Sequence, residues 1–173
     1  MGKLNKKIAI VTGAARGIGR EVALRLASEG ATIIVVDVAS DGEETVQAIL
    51  SAGGEARAEI VDVSQNDQVL KMISSTVELY GGVDILVNNA AVEINGPLED
   101  TTEEDWDRVF AVNVKGIFLT CKYALRIMKN QEQGCIINIG SAVAVKGFPQ
   151  FAAYSGSKGA VLQITRSLAL EVR

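Results

Sequence analysis

The 173-residue sequence contains no histidine, two cysteines, two prolines and one tryptophan. Without imidazole no Ser-His-Asp or Cys-His catalytic group can be assembled, and the usual nitrogen ligands of zinc are missing. Cys121 and Cys135 stand apart, outside any CxxC motif and too few for a disulfide framework, which fits a reducing cytoplasm. Met1-Gly-Lys-Leu-Asn-Lys-Lys7 lacks the apolar core of a secretory signal. No apolar run approaches the roughly 18 residues of a membrane span. The 17 basic and 21 acidic residues are interspersed, so a net charge of −4 offers no basic stripe to a nucleic acid. These absences argue against metal, membrane and nucleic-acid functions.

What the chain holds in quantity is glycine and β-branched residues, in an ordered alternation. Lys7–Thr12, Thr32–Asp37, Asp84–Asn88 and Cys135–Ile139 are apolar runs of strand length that mostly do not alternate. Such runs are expected of strands covered by helices on both faces. Ala56–Val61 is less apolar and more alternating, which places it at a sheet edge. Between the strands, Ser40-Asp-Gly-Glu43, Ser64-Gln-Asn-Asp67 and Thr101-Thr-Glu-Glu104 each set a hydroxyl three residues before an acid, the pattern of a capped helix start. Gly30, Gly53-Gly54 and Gly81-Gly82 fall where helices must end. With no linker, repeat or low-complexity segment, the pattern predicts one α/β domain with a parallel, doubly wound sheet. Trp106, Val109, Phe110 and Phe118 lie at helical spacing and are read as core, and Cys135 as buried and inert.

Three features carry chemistry. The first strand runs into Thr12-Gly13-Ala-Ala-Arg16-Gly17-Ile18-Gly19, at the start of a helix expected to reach Ser28. Glycines there permit a tight turn and close backbone approach to a pyrophosphate, held at the helix N-terminus. The loop lacks the Gly-Lys-Ser/Thr ending of a P-loop, which argues against nucleoside triphosphate hydrolysis. Asp37 ends the second strand 24 residues after Gly13, either as the acid that binds adenosine ribose hydroxyls or as a solvated turn residue. Arg16, inside the loop, could instead pair a 2′-phosphate. Asp37 is given the greater weight, so NAD(H) is expected over NADP(H). Tyr154 and Lys158, four apart on one helix face, form the third feature. An ammonium beside a phenol lowers its pKa toward neutrality and makes it a usable proton donor and acceptor.

The order and spacing of these motifs resemble the short-chain dehydrogenase/reductase family, from about Leu4 onward. The loop matches at Thr12–Gly19, and the family's Asn-Asn-Ala-Gly segment stands as Asn88-Asn89-Ala90-Ala91, with alanine in the last place. Asp62-Val63 matches its adenine-pocket pair, Val112-Asn113-Val114 its tetrad asparagine, Ser141 its serine and Tyr154/Lys158 its Tyr-x-x-x-Lys pair. The resemblance implies a Rossmann-like sheet of order 3-2-1-4-5 and carbonyl/secondary-alcohol interconversion by hydride transfer, as in 3-oxoacyl reductases or alcohol and polyol dehydrogenases. It implies cofactor contacts at Gly13, Arg16, Gly17, Ile18, Gly19, Asp37, Asp62, Val63, Asn89, Ala90, Tyr154 and Lys158, and no metal. Catalytic roles fall to Tyr154 as acid/base, Lys158 as ribose anchor and pKa modulator, Ser141 as substrate-oxygen donor and Asn113 as holder of a relay water.

Family members continue past the tyrosine helix with further strands and a mobile substrate-binding segment. The resemblance therefore implies that residues 1–173 form one dinucleotide-binding and catalytic domain lacking that segment. Strand five would then be an exposed edge. The alternative is a truncated, weakly active or inactive dinucleotide- or partner-binding module. A homo-oligomer is expected through the helices flanking strand five, about Glu103–Lys129 and Gln150–Arg173.

Overall fold

A computed structural model describes residues 2–172. Five parallel strands form one sheet in the order β3-β2-β1-β4-β5, as the resemblance implies. They are β1 (Ile8–Thr12), β2 (Thr32–Asp37), β3 (Glu55–Ile60), β4 (Ile85–Asn88) and β5 (Cys135–Asn138). Helices α1 (Gly17–Ser28), α2 (Gly42–Ser51) and α3 (Asn66–Tyr80) connect the first four strands. After β4 come α4 (Glu103–Phe110), a π-helical turn (Ala111–Lys115) and α5 (Gly116–Asn130), and α6 (Ala152–Glu171) follows β5.

The β-branched strands are buried because two layers of helices cover them. On one face Ile10, Ile34 and Leu86 pack with Met72, Ile117 and Ala124; on the other Val11, Ile33 and Val87 pack with Ala23, Ala27 and Ile49. Gly30, Gly53 and Gly81 all have positive φ at helix ends, a conformation without penalty only for glycine.

Four expectations are corrected. The capping patterns are displaced: α2 begins after Asp41 and α3 after Gln65, neither with a side-chain cap. At α4 it is Thr102, not Thr101, that accepts from Asp105 N–H, while Thr101 donates to the Pro97 carbonyl. A hydroxyl-x-x-acid pattern also suits a turn one residue earlier, so the motif alone leaves the start open. Of the four residues read as core, Val109 is buried, but Trp106 and Phe118 are exposed and Phe110 is half-buried. Trp106 stacks on Phe110 at 4.8 Å between ring centroids, on the outer face of α4. Cys135 is exposed rather than buried, because β5 is an edge strand.

Candidate active site

All strands are parallel, so their C-terminal ends gather on one rim of the sheet, where this architecture places its ligands. The loop after β1 occupies the middle of that rim. Gly13 has φ +64°, and a Cβ there would lie 2.8 Å from Ala90 Cα. A Cβ on Gly19 would collide with the Gly13 carbonyl oxygen and the Asn89 amide. These two glycines let the loop, α1 and β4 close on one another. Gly17 differs: its φ is +58°, and nothing lies within 4 Å of where its Cβ would be. That open face adjoins the first turn of α1, whose amide hydrogens have no intrahelical acceptors and favour an anion. Gly17 therefore fits the approach of a pyrophosphate. Arg16 and Ile18 beside it are exposed.

Asn89 faces the loop rather than the solvent. Its amide nitrogen donates to the Thr12 and Gly13 carbonyls, at 3.0 and 2.9 Å. In return the Thr12 hydroxyl accepts from the Asn89 and Ala90 amides, both at 3.0 Å. Thus β1 and β4 are laced together beneath the site. Asp37, half-buried at the end of β2, accepts from Ala15 N–H at 3.0 Å through one carboxylate oxygen and from Ala39 N–H at 3.3 Å through the other. Asp62 accepts from Ser64 N–H at 2.9 Å beyond β3. Val63 is buried against Gly116, where an added Cβ would come within 2.9 Å of it.

The other half of the rim carries the titratable groups. Ser141 follows β5 in extended backbone, and its hydroxyl accepts from Val143 N–H at 3.4 Å. Helix α6 presents Tyr154, half-buried, and Lys158, of which only 3% is exposed. Lys158 donates its ammonium to the Ile139 carbonyl at 2.8 Å and lies 5.7 Å from the Tyr154 ring centroid. Burial lowers the Lys158 pKa, since the charged form loses solvation.

Tyr154 departs from expectation. Its pKa is raised, first by burial and then by the Glu93 carboxylate, with the Ser141 hydroxyl opposing. The Lys158 ammonium donates to the Ile139 carbonyl and lies over the ring rather than on the phenol oxygen, and burial with Glu93 sets the direction. Asn113 is fully buried in the π-helical turn. Its side chain accepts from Val92 N–H at 2.8 Å and donates to the Val92 carbonyl at 2.9 Å and the Ser157 hydroxyl at 3.0 Å. Ser157 in turn donates to the Tyr154 carbonyl at 2.7 Å. Both Asn113 amide hydrogens are therefore spent on protein groups, and the side chain ties the loop after β4 to the tyrosine helix.

Glu93 and Ser157 escaped the sequence reading. Ser157 carries no local signal, and Glu93 sits in a loop whose direction is set by the Asn113 contacts to Val92 and by Gly96 N–H donating to the Gln150 carbonyl. A cleft of about 590 Å³ lies elsewhere, beside β5 between the ends of α5 and α6, lined by Met128, Ile136, Leu168 and Val172. Among the described residues no group of three or more His, Cys, Asp or Glu could hold a metal ion. No described helix is long and apolar enough to cross a membrane.

The short chain dehydrogenase family model matches residues 7–173. An uncharacterised oxidoreductase of Thermotoga maritima is 44% identical over 166 residues, which cover 95% of this chain and 65% of that protein. An NAD+-bound xylitol dehydrogenase superposes with a TM-score of 0.95 at 38% identity, covering 98% of this chain and 66% of that one. A metagenomic short-chain oxidoreductase in complex with NADP gives 0.95 at 34% identity, covering 98% and 78%. The chain thus spans about two-thirds of the T. maritima relative's length. On the match to the family model, the chain belongs to the short-chain dehydrogenase family.

Proposed function

We propose that the protein is an oxidoreductase that interconverts a secondary alcohol and a carbonyl, using a nicotinamide dinucleotide. The observation that carries this reading is one shared rim: the Gly17 face open to a pyrophosphate, and Tyr154 half-buried with Ser141 acting on its phenol. When bound, the nicotinamide supplies or accepts the hydride. Around it the protein positions oxygen and moves a proton. For oxidation, Tyr154 as phenolate takes the alcohol proton while Ser141 donates to the same oxygen; for reduction, the phenol returns that proton. Lys158 holds the nicotinamide ribose. Gly13, Arg16, Gly17, Ile18 and Gly19 surround the pyrophosphate, Asp37 takes the adenosine ribose, and Asp62, Val63 and Ala90 border the adenine and nicotinamide. Asn89 serves by holding the loop.

NAD(H) is favoured over NADP(H) because the Asp37 carboxylate stands at the end of β2, where it would repel a 2′-phosphate. Exposed Trp106, Phe118 and Leu170 support a homo-oligomer through α4–α6. Two scattered, unpaired cysteines suit the cytoplasm.

A second reading, a dinucleotide-binding module without turnover, is favoured by the β5 edge, along which no strand lies among the described residues. NADH fluorescence titration followed by an oxidation screen over secondary alcohols separates the two. The first reading expects binding with turnover, and Tyr154→Phe removes that turnover by about 10²–10⁴-fold with NADH affinity unchanged. Binding without turnover of any alcohol leaves the second.

A further inference from the structure

We propose that Thr45, on α2 and outside every motif described above, is a positioning residue that fixes the nucleotide loop in its anion-binding shape. The inference rests on the dinucleotide reading of that loop. Thr45 is fully buried, and its hydroxyl lies 2.9 Å from the Ala14 carbonyl oxygen and 3.2 Å from that of Ala15. On the other side of the same residues, Ala14 N–H donates to the Val36 carbonyl at 3.1 Å and Ala15 N–H to the Asp37 carboxylate at 3.0 Å. Both amides of Ala14 and Ala15 are therefore bonded inside the protein, and their two carbonyls share the single Thr45 hydroxyl hydrogen.

The planarity of the peptide unit gives these contacts their meaning. The Ala14 carbonyl and the Ala15 amide belong to one rigid plane, which Thr45 grips at the oxygen and Asp37 at the hydrogen. The Ala15 carbonyl and the Arg16 amide belong to the next plane. In a trans peptide the two point in opposite directions, so drawing the Ala15 oxygen toward α2 turns the Arg16 N–H away from α2. One hydroxyl thus orients two successive planes just before the amides that face a pyrophosphate.

Helix α2 is a firm support for this. Val46 and Ile49 are in the core, and Gly42 packs on Val35 and Ala58 beneath it. The two groups divide the work. Asp37 both shapes the loop and faces the adenosine ribose, whereas Thr45 shapes the loop only. Thr45 therefore acts on the part of the ligand that NADH and NADPH share.

Thr45→Val keeps the side-chain shape and removes the hydroxyl. In fluorescence titrations it weakens NADH and NADPH by the same factor, on the order of tenfold, the usual scale of one buried hydrogen bond. Thr45→Ser restores affinity to within about twofold, and Asp37→Ala, by contrast, changes the NADH/NADPH ratio. A folded Thr45→Val protein that binds NADH as the unmutated chain does would overturn the proposal, as would a serine variant as weak as the valine variant. If the valine variant does not fold by circular dichroism, Thr45→Ala carries the same expectation. Amide hydrogen exchange without cofactor separates this inference from the reading beneath it. Faster exchange at residues 14–19 in the valine variant supports the clamp even if the unmutated chain binds no NADH; unchanged exchange rejects it.

Discussion

The two edges of the sheet are made of opposite materials. β3 presents Glu55, Arg57 and Glu59, with Arg57 paired to Glu59 at 3.3 Å and Glu55 accepting from the Thr32 hydroxyl at 2.9 Å. β5 presents Cys135-Ile-Ile-Asn, with Cys135 and Ile137 exposed and no charge along it. A charged edge discourages the addition of another strand, and an apolar one does not. The difference continues into the rim above. On the β1–β2–β3 side the Ala14 and Ala15 amides are bonded inside the protein and their carbonyls share the Thr45 hydroxyl. On the β4–β5 side Tyr154 and Ser141 stand above an uncovered strand. On the proposed function, nucleotide recognition falls to residues that lock together, while the selection of a substrate has few walls among the described residues.

The sharpest way to break this comparison is at Gly19. Gly19→Val drives a side chain into the Gly13 carbonyl and the Asn89 amide. NADH affinity falls by at least about a hundredfold, equivalent to about 3 kcal/mol. Titration with circular dichroism as the folding control checks it, and near-normal binding would mean that the loop is less locked than its contacts indicate.

On the reaction side the expected effect is smaller and electrostatic. A raised Tyr154 pKa means that phenolate, the form that accepts an alcohol proton, increases as pH climbs into the alkaline range. Glu93 adds to that rise, so Glu93→Gln lowers the midpoint. The readout is the phenolate absorbance of Tyr154, taken as the difference from Tyr154→Phe, and the gap between the two proteins should narrow with salt because Glu93 is exposed. A midpoint unmoved or raised by Glu93→Gln would remove the carboxylate from the site. The mildest test concerns the edge itself. Ile137→Lys gives β5 the kind of charge that β3 already has, and should delay the onset of turbidity on warming while leaving NADH affinity within about twofold.

The fold was legible because strand burial leaves a direct mark on composition. Ile33, Ile34, Val35 and Val36 are buried on both faces, so they read as one apolar run. The less apolar, more alternating run Ala56–Val61 likewise betrayed an edge. What lies along β5 was legible only through the family resemblance, since Cys135-Ile-Ile-Asn has the composition of a covered strand. Cys135 was accordingly misread as buried. The nucleotide loop was legible because glycine spacing is itself the constraint. Thr45 was not, as a threonine on an amphipathic helix looks the same whether its hydroxyl meets water or a carbonyl. The upward direction of the Tyr154 pKa was not legible because spacing places Lys158 on the same helix face but shows neither the burial of the phenol nor the approach of Glu93.

The π-helical turn at Ala111–Lys115 has a consequence for the phase of the whole segment from Glu103 to Asn130. A π turn contains one residue more than the α-helical turn it replaces, and one residue corresponds to about 100° of rotation. Helices α4 and α5 are therefore collinear in sequence but out of step in azimuth, and no single apolar stripe can be drawn through both. This offset lets α4 and α5 each keep an inward stripe while Asn113, at the seam, points its amide at Val92 and Ser157. The segment works like a vernier: a deletion of one residue between 111 and 115 would bring its two scales into register, and in doing so would swing Asn113 away from the tyrosine helix.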